Sequence, residues 1–191
     1  HRIVRDVPYH ATAIERHRLD VYHPNSHEGL APVVIYFHGG GFRILSKETH
    51  WLMGLAFARQ GHVVFNVDYR LAPDHPYPAA MQDCCEAYLW VLKNAEKFGG
   101  DPSRIVLAGE SAGANLALSV TLATVLERPE PWAKKVYDAG VVPLATLPAC
   151  GMLQVSDCER FSRKRTLPTW LQDRLDEVAE AYLGDATADS L

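Results

Sequence analysis

No histidine follows His75 in this 191-residue chain: all nine, His1, His10, His17, His23, His27, His38, His50, His62 and His75, lie in its first half. Any chemistry that needs an imidazole from the second half therefore lacks one here. Also missing is an apolar run of the 18 or more residues that a membrane span requires, and no signal-peptide pattern opens the chain. The expectation is a cytoplasmic protein with no membrane span, and the start at His1 rather than a methionine suggests that a native N-terminus is missing. Cysteine is scarce. Cys84, Cys85, Cys150 and Cys158 match neither a zinc motif nor a disulfide scaffold, so buried thiols in a reducing compartment and no metal are expected. Positive charge is scarce too. With a net charge of −4 and only four cations in the densest basic stretch, residues 160–165, nothing attracts nucleic acid or anionic lipid. No internal repeat or low-complexity segment is visible.

What the chain does have is 48% hydrophobic residues, enough for one substantial core and short for two, so a single domain over residues 1–191 is expected. Residues 33–37, 63–67 and 105–108 are short β-branched or apolar runs suited to strands buried on both faces. Parallel neighbours need crossovers. Residues 47–60 have helical composition, with Ser46 as an N-cap and Gly61 as a stop. From Ala79 to about Phe98, Cys84, Ala87, Tyr88, Val91, Leu92 and Ala95 form one helical stripe, closed by the turn at residues 99–102. Residues 112–126 predict a helix that Pro129 and Pro131 end. Residues 139–155 predict one more buried strand, and Leu171, Leu175, Val178, Ala179 and Tyr182 a last helix after Pro168. Residues 2–23 alternate weakly, as an antiparallel strand pair at a sheet edge would. Strand alternating with helix points to a three-layer α/β domain with a mostly parallel sheet.

Two motifs carry chemistry. Gly109-Glu110-Ser111-Ala112-Gly113 sits where a strand should turn into a helix, and such a crowded turn holds the Ser111 hydroxyl out toward a substrate carbonyl. Gly109 and Gly113 suit it because side chains there would collide with the neighbouring strand and helix. The N–H of Ala112 falls in the first helical turn, unpaired within the helix and at the positive end of its dipole. His38-Gly39-Gly40-Gly41-Phe42 ends another apolar run, so Gly39, Gly40 and Gly41 can bring backbone N–H groups close to the same oxygen. A phosphate cradle would prefer Lys and Ser or Thr after its last glycine, whereas Phe42 and Arg43 follow. His38 reads as a donor that fixes the loop, not as a base.

These two motifs, with Asp68-Tyr69-Arg70-Leu71-Ala72-Pro73 and Tyr77-Pro78-Ala79-Ala80, resemble the hormone-sensitive-lipase-like branch of the α/β-hydrolases over residues 2–125. The resemblance implies the three-layer α/β-hydrolase fold and a carboxylic-ester hydrolase needing no metal or organic cofactor. It further implies Ser111 as nucleophile and an oxyanion hole from the N–H groups of Gly40, Gly41 and Ala112. Residues 68–80 would be a structural turn, with Arg70 ion-paired. Two positions depart from the commoner pattern, Glu110 for Asp and Ala114 for Gly. Gly-Glu-Ser-Ala-Gly-Ala also resembles the larger cholinesterase and type-B carboxylesterase family, but the Arg-Leu-Ala-Pro segment and the small domain favour the lipase-like branch.

In this fold the acid and histidine follow the nucleophile in chain order. None of the nine histidines follows Ser111, and Asp173, Asp176 and Glu177 read as surface charge on a helix. The expectation is a piece of a longer hydrolase, incomplete at both ends, lacking an N-terminal cap, C-terminal strands, the acid and the base, and nearly inert alone. A small-molecule ester is the expected partner, and a homo-oligomer is left open. The alternative is a ligand-binding, receptor-like member of the same fold that does no catalysis.

Overall fold

The computed structural model describes residues 2–160, 162–164, 166–184 and 186. Among the described residues six strands form one sheet. They are β1 (Ile3–Pro8), β2 (Arg18–Tyr22), β3 (Ala31–Phe37), β4 (Val63–Val67), β5 (Gly100–Glu110) and β6 (Ala145–Ala149), in the order β1-β2-β4-β3-β5-β6. β4, β3, β5 and β6 run parallel; β2 pairs antiparallel with both β1 and β4. The weakly alternating residues 2–23 are thus the antiparallel edge pair that their pattern predicts.

The apolar runs are unbroken because both faces of the central strands are covered. Val33, Ile35, Phe37, Val63, Phe65, Val67, Ile105 and Leu107 belong to the larger core, beneath α2 (Ala79–Asn94) and α3 (Ala112–Val125). Val34, Tyr36, Val64 and Ala108 face the opposite way and pack under α1 (Trp51–Arg59) through Ala58. Each side chain of this size contributes about 1.5–3 kcal/mol when fully buried, so the two-sided strands hold the sheet's centre. On α2 the predicted stripe is inward: Cys84, Ala87, Tyr88, Val91 and Ala95 are buried and Leu92 half-buried. Asp83 on the same helix takes Arg70 in a two-pronged pair, with Nη2 donating at 2.7 Å and Nε at 2.9 Å, so residues 68–80 form the braced turn that the motif implies.

Four local expectations are corrected. Ser46 does not cap α1, which starts at Trp51 after a turn over residues 47–50. The Ser46 amide donates to Thr49 Oγ1 at 3.1 Å and the Lys47 amide to Asp68 at 2.7 Å, so tertiary bonds pin this stretch as a turn. Pro131 opens a helix rather than ending one: α4 (Pro131–Asp138) begins with it, where a missing N–H costs nothing. The strand expected within residues 139–155 forms as β6, yet it is not buried; Leu147 is 47% exposed, because among the described residues β6 pairs on one side only. Cys150 is exposed while Cys84, Cys85 and Cys158 are buried as expected.

One glycine of α1 shows how tightly that helix docks. A Cβ on Gly54 would lie 2.6 Å from the ring of the buried Tyr22. Alanine would gain about 1 kcal/mol of helix propensity but cost about 1–3 kcal/mol in overpacking. Gly54→Ala is therefore expected to lower the urea midpoint, read by circular dichroism; an unchanged or raised midpoint would show that α1 is loosely seated.

Candidate active site

Ser111 stands between the last residue of β5 and the first of α3, with φ 51° and ψ −116°. A non-glycine residue in that region is strained by about 1–3 kcal/mol and persists only where its surroundings impose it. Here the surroundings are backbone. A Cβ on Gly109 would come within 2.3 Å of the Gly113 carbonyl oxygen, and one on Gly113 within 2.0 Å of the Phe37 carbonyl oxygen. The elbow is therefore pressed against the end of β3, which is where the glycine loop begins. The Ser111 amide donates to the Ala149 carbonyl at 2.9 Å, tying the elbow to β6 as well.

The glycine loop turns back on itself directly after β3. Gly40 and Gly41 take φ 115° and 59°, and the Gly40 carbonyl accepts the Arg43 and Ile44 amides, both at 3.1 Å. Only glycine fits position 40, where a Cβ would meet the Ile44 carbonyl oxygen at 2.1 Å. His38 is fully buried and uses Nδ1 to donate to the Gly39 carbonyl at 2.7 Å, since a carbonyl oxygen can only accept. Its Nε2 lies 3.3 Å from the Asp68 carboxylate, out of hydrogen-bonding alignment. Burial lifts the Tyr69 phenol well above its ordinary pKa, keeping it a donor to the His38 carbonyl at 2.7 Å.

Elbow and loop open into one cleft of about 560 Å³, walled by Gly40, Gly41, Ser111 and Ala112, with Cys150 and Met152 on the β6 side. Gly39 does not line that wall, and a Cβ on it would meet Glu110 at 3.0 Å. The remaining wall is α5 (Thr169–Leu183), whose Leu175 and Val178 face the cleft. Tyr182 anchors this helix by stacking on Phe42, ring centroids 3.7 Å apart, and by accepting the Tyr77 amide at its carbonyl. Arg43 bridges to Glu177, which also receives Arg174.

All the motif residues are thus gathered at the carboxyl ends of β3 and β5, and Asp173, Asp176 and Glu177 are gathered on α5. Asp173 is exposed and Asp176 accepts from Gln172 at 2.9 Å. Glu177 is exposed, as surface charge is, and its pairing with Arg43 sets it at the rim of the cleft. Sequence reasoning missed the roles of Glu177, Val178 and Cys150 as wall residues. Their only signal was helical spacing or an isolated thiol, neither of which names a neighbour. The hydrogen bonds of His38 and His50 go to Gly39, Ser46, Thr49 and Glu110, away from the Ser111 hydroxyl.

A strained serine on a strand-to-helix turn, facing a glycine loop across the carboxyl edge of a helix-flanked parallel sheet, defines the α/β-hydrolase class. Residues 34–191 match the family described as alpha/beta hydrolase fold, and the chain belongs to it, in the branch of the hormone-sensitive-lipase-like esterases and lipases. Carboxylesterase NlhH of Mycobacterium tuberculosis is 48% identical over 98 residues, 51% of this chain and 31% of that relative. Hormone-sensitive lipase of Mus musculus is 40% identical over 91 residues, 47% of this chain and 12% of the mouse protein. Among solved structures, a hyperthermophilic esterase from Pyrobaculum calidifontis superposes with a TM-score of 0.71 at 30% identity, covering 97% of this chain and 58% of that one. The chain thus spans about a third of the first of these curated relatives. Among the described residues no helix is long and apolar enough to cross a membrane.

Proposed function

We propose that the protein hydrolyses carboxylic esters through an acyl-enzyme on Ser111. The Ser111 oxygen attacks the ester carbonyl as a general base takes its proton. The backbone N–H groups of Gly40, Gly41 and Ala112 stabilise the oxyanion, each worth about 3 kcal/mol in the transition state. The ester C–O bond then breaks, the alcohol leaves with the proton, and water attacks the acyl-enzyme to release the acid and restore the serine. The base is assigned to a histidine, and its orienting partner to an acid, that these 191 residues do not contain. Alone, the chain keeps only oxyanion stabilisation and binding and turns over slowly. No metal or organic cofactor enters this chemistry.

One observation carries the reading: Ser111, at φ 51°, shares a single cleft with Gly40, Gly41 and Ala112. Had the elbow and the loop opened into separate cavities, hydroxyl and donors could not act on one carbonyl. The apolar walls supplied by Met152, Leu175 and Val178 suit an acyl or alkyl group. The test is to expose the full-length protein to a fluorophosphonate and map the adduct by mass spectrometry. A single adduct on Ser111 is expected. An unlabelled Ser111 in a folded protein that still binds esters would replace the esterase by the receptor-like reading.

A further inference from the structure

The residue before the serine is bonded to a histidine sixty positions away. Glu110 Oε1 accepts from His50 Nε2 at 2.9 Å, and His50, just before α1, is 8% exposed. The other ring nitrogen of His50 lies 3.1 Å from the Ser46 carbonyl and 2.9 Å from Thr49 Oγ1, so the ring is held at both ends. It stacks on His38 with centroids 5.5 Å apart, and His38 stacks on Tyr69 at 4.3 Å and 12°. This column of three rings joins the ends of β3 and β4 to the start of α1. Two of its members also bond the backbone leading into the glycine loop, His38 at the Gly39 carbonyl and Tyr69 at the His38 carbonyl, both at 2.7 Å. Glu110 closes the circuit from the other side. A Cβ on Gly39 would lie 3.0 Å from the Glu110 carbonyl and 3.1 Å from Oε1, so the loop's first glycine rests directly on it.

Resting on the esterase reading, we propose that Glu110 is a positioning residue that, through His50 and the ring column, holds the glycine loop in register with Ser111. The glycine loop and the start of α1 both lie in the connection after β3, whereas Glu110 ends β5, so this pair adds a side-chain tie between the two connections to the backbone packing of elbow against β3. Register matters steeply, since misplacing reacting groups by about 1 Å can cost a hundredfold in rate. The Glu110 side chain is 47% exposed, which leaves little net Coulomb energy in the pair. What positions the loop is therefore the accepted hydrogen bond, not the charge. A glutamine, whose amide oxygen also accepts from His50 Nε2, should do nearly as well.

The test compares Glu110→Ala, Glu110→Gln, His50→Ala and the double alanine variant in the full-length protein. Readouts are steady-state hydrolysis of p-nitrophenyl acetate, the rate of fluorophosphonate labelling at Ser111, and thermal melting. Glu110→Ala is expected to lower kcat about tenfold with KM within about twofold, and to slow labelling in parallel. Glu110→Gln should stay within about threefold of the parent, and the double variant should be no worse than the poorer single one, since both break one circuit. Glu110→Ala at parental kcat, a glutamine variant as poor as the alanine one, or single effects that multiply would each overturn the proposal. If the alanine variants fail to fold, the glutamine variant decides, because loss of kcat at parental melting temperature contradicts the hydrogen-bond account. Failure of the esterase reading looks different: Ser111 stays unlabelled in the parent.

Discussion

In the full-length protein Ser111→Ala is expected to lower kcat on a short-chain ester by at least about 10⁴-fold while KM changes little, since the hydroxyl is the protein group on the proposed path that bonds to the acyl carbon. The variant should remain folded and even gain stability. Ser111 is held at φ 51° against backbone crowding, but the crowding falls on Gly109 and Gly113, and shortening the side chain to a methyl removes a polar group from a half-open cleft without adding an atom. A melting temperature at or above the parent's with a collapse in kcat would separate chemistry from folding. Residual turnover above the water rate is compatible with this, because the Gly40, Gly41 and Ala112 amides remain in the cleft. A variant that keeps more than about a tenth of parental kcat, with no contaminating esterase, would remove Ser111 from the mechanism.

Gly113→Ala should be strongly destabilising. Its Cβ would sit 2.0 Å from the Phe37 carbonyl oxygen and 2.6 Å from that of His38, and both are backbone atoms of the strand carrying the glycine loop. No side-chain rotation relieves a clash with backbone. Either α3 moves away from β3 or the end of β3 buckles, at about 3–5 kcal/mol, against which the helix propensity of alanine returns about 1 kcal/mol. Gly140→Ala is the control, since Gly140 has open space around it and only its φ of 66° to oppose the substitution, at about 1–2 kcal/mol. Urea unfolding of both variants measures the difference. A Gly113→Ala protein as stable as Gly140→Ala would mean that elbow and strand are not in contact.

How much of this was legible beforehand follows from the range of each interaction. The strands at residues 33–37, 63–67 and 105–108 could be read because burial on both faces demands unbroken apolar runs, and the sheet places them side by side. The elbow and the glycine loop could be read because steric demands on Gly109, Gly113 and Gly40 act within a few residues of themselves or against one neighbouring strand. The apolar composition of residues 139–155 predicts β6 but not its exposure, since a strand's composition does not say whether a neighbour covers it. Ser46 misled for a related reason: a capping preference of about 1 kcal/mol is outweighed when Thr49 and Asp68 claim the same backbone groups.

By its own sequence this chain determined the order of its elements, the glycines that its two sharp turns require, and the presence of a serine on one turn and bare amides on the other. Those features rest on local sterics and on periodicity, which act along the chain. Only the tertiary structure decided that the two turns open into the same cleft, that α5 walls it through Val178 and the Arg43–Glu177 pair, and that Glu110 meets His50. Contacts between residues 60 or 134 positions apart leave no pattern in the chain, because what brings them together is the packing of helices on a shared sheet.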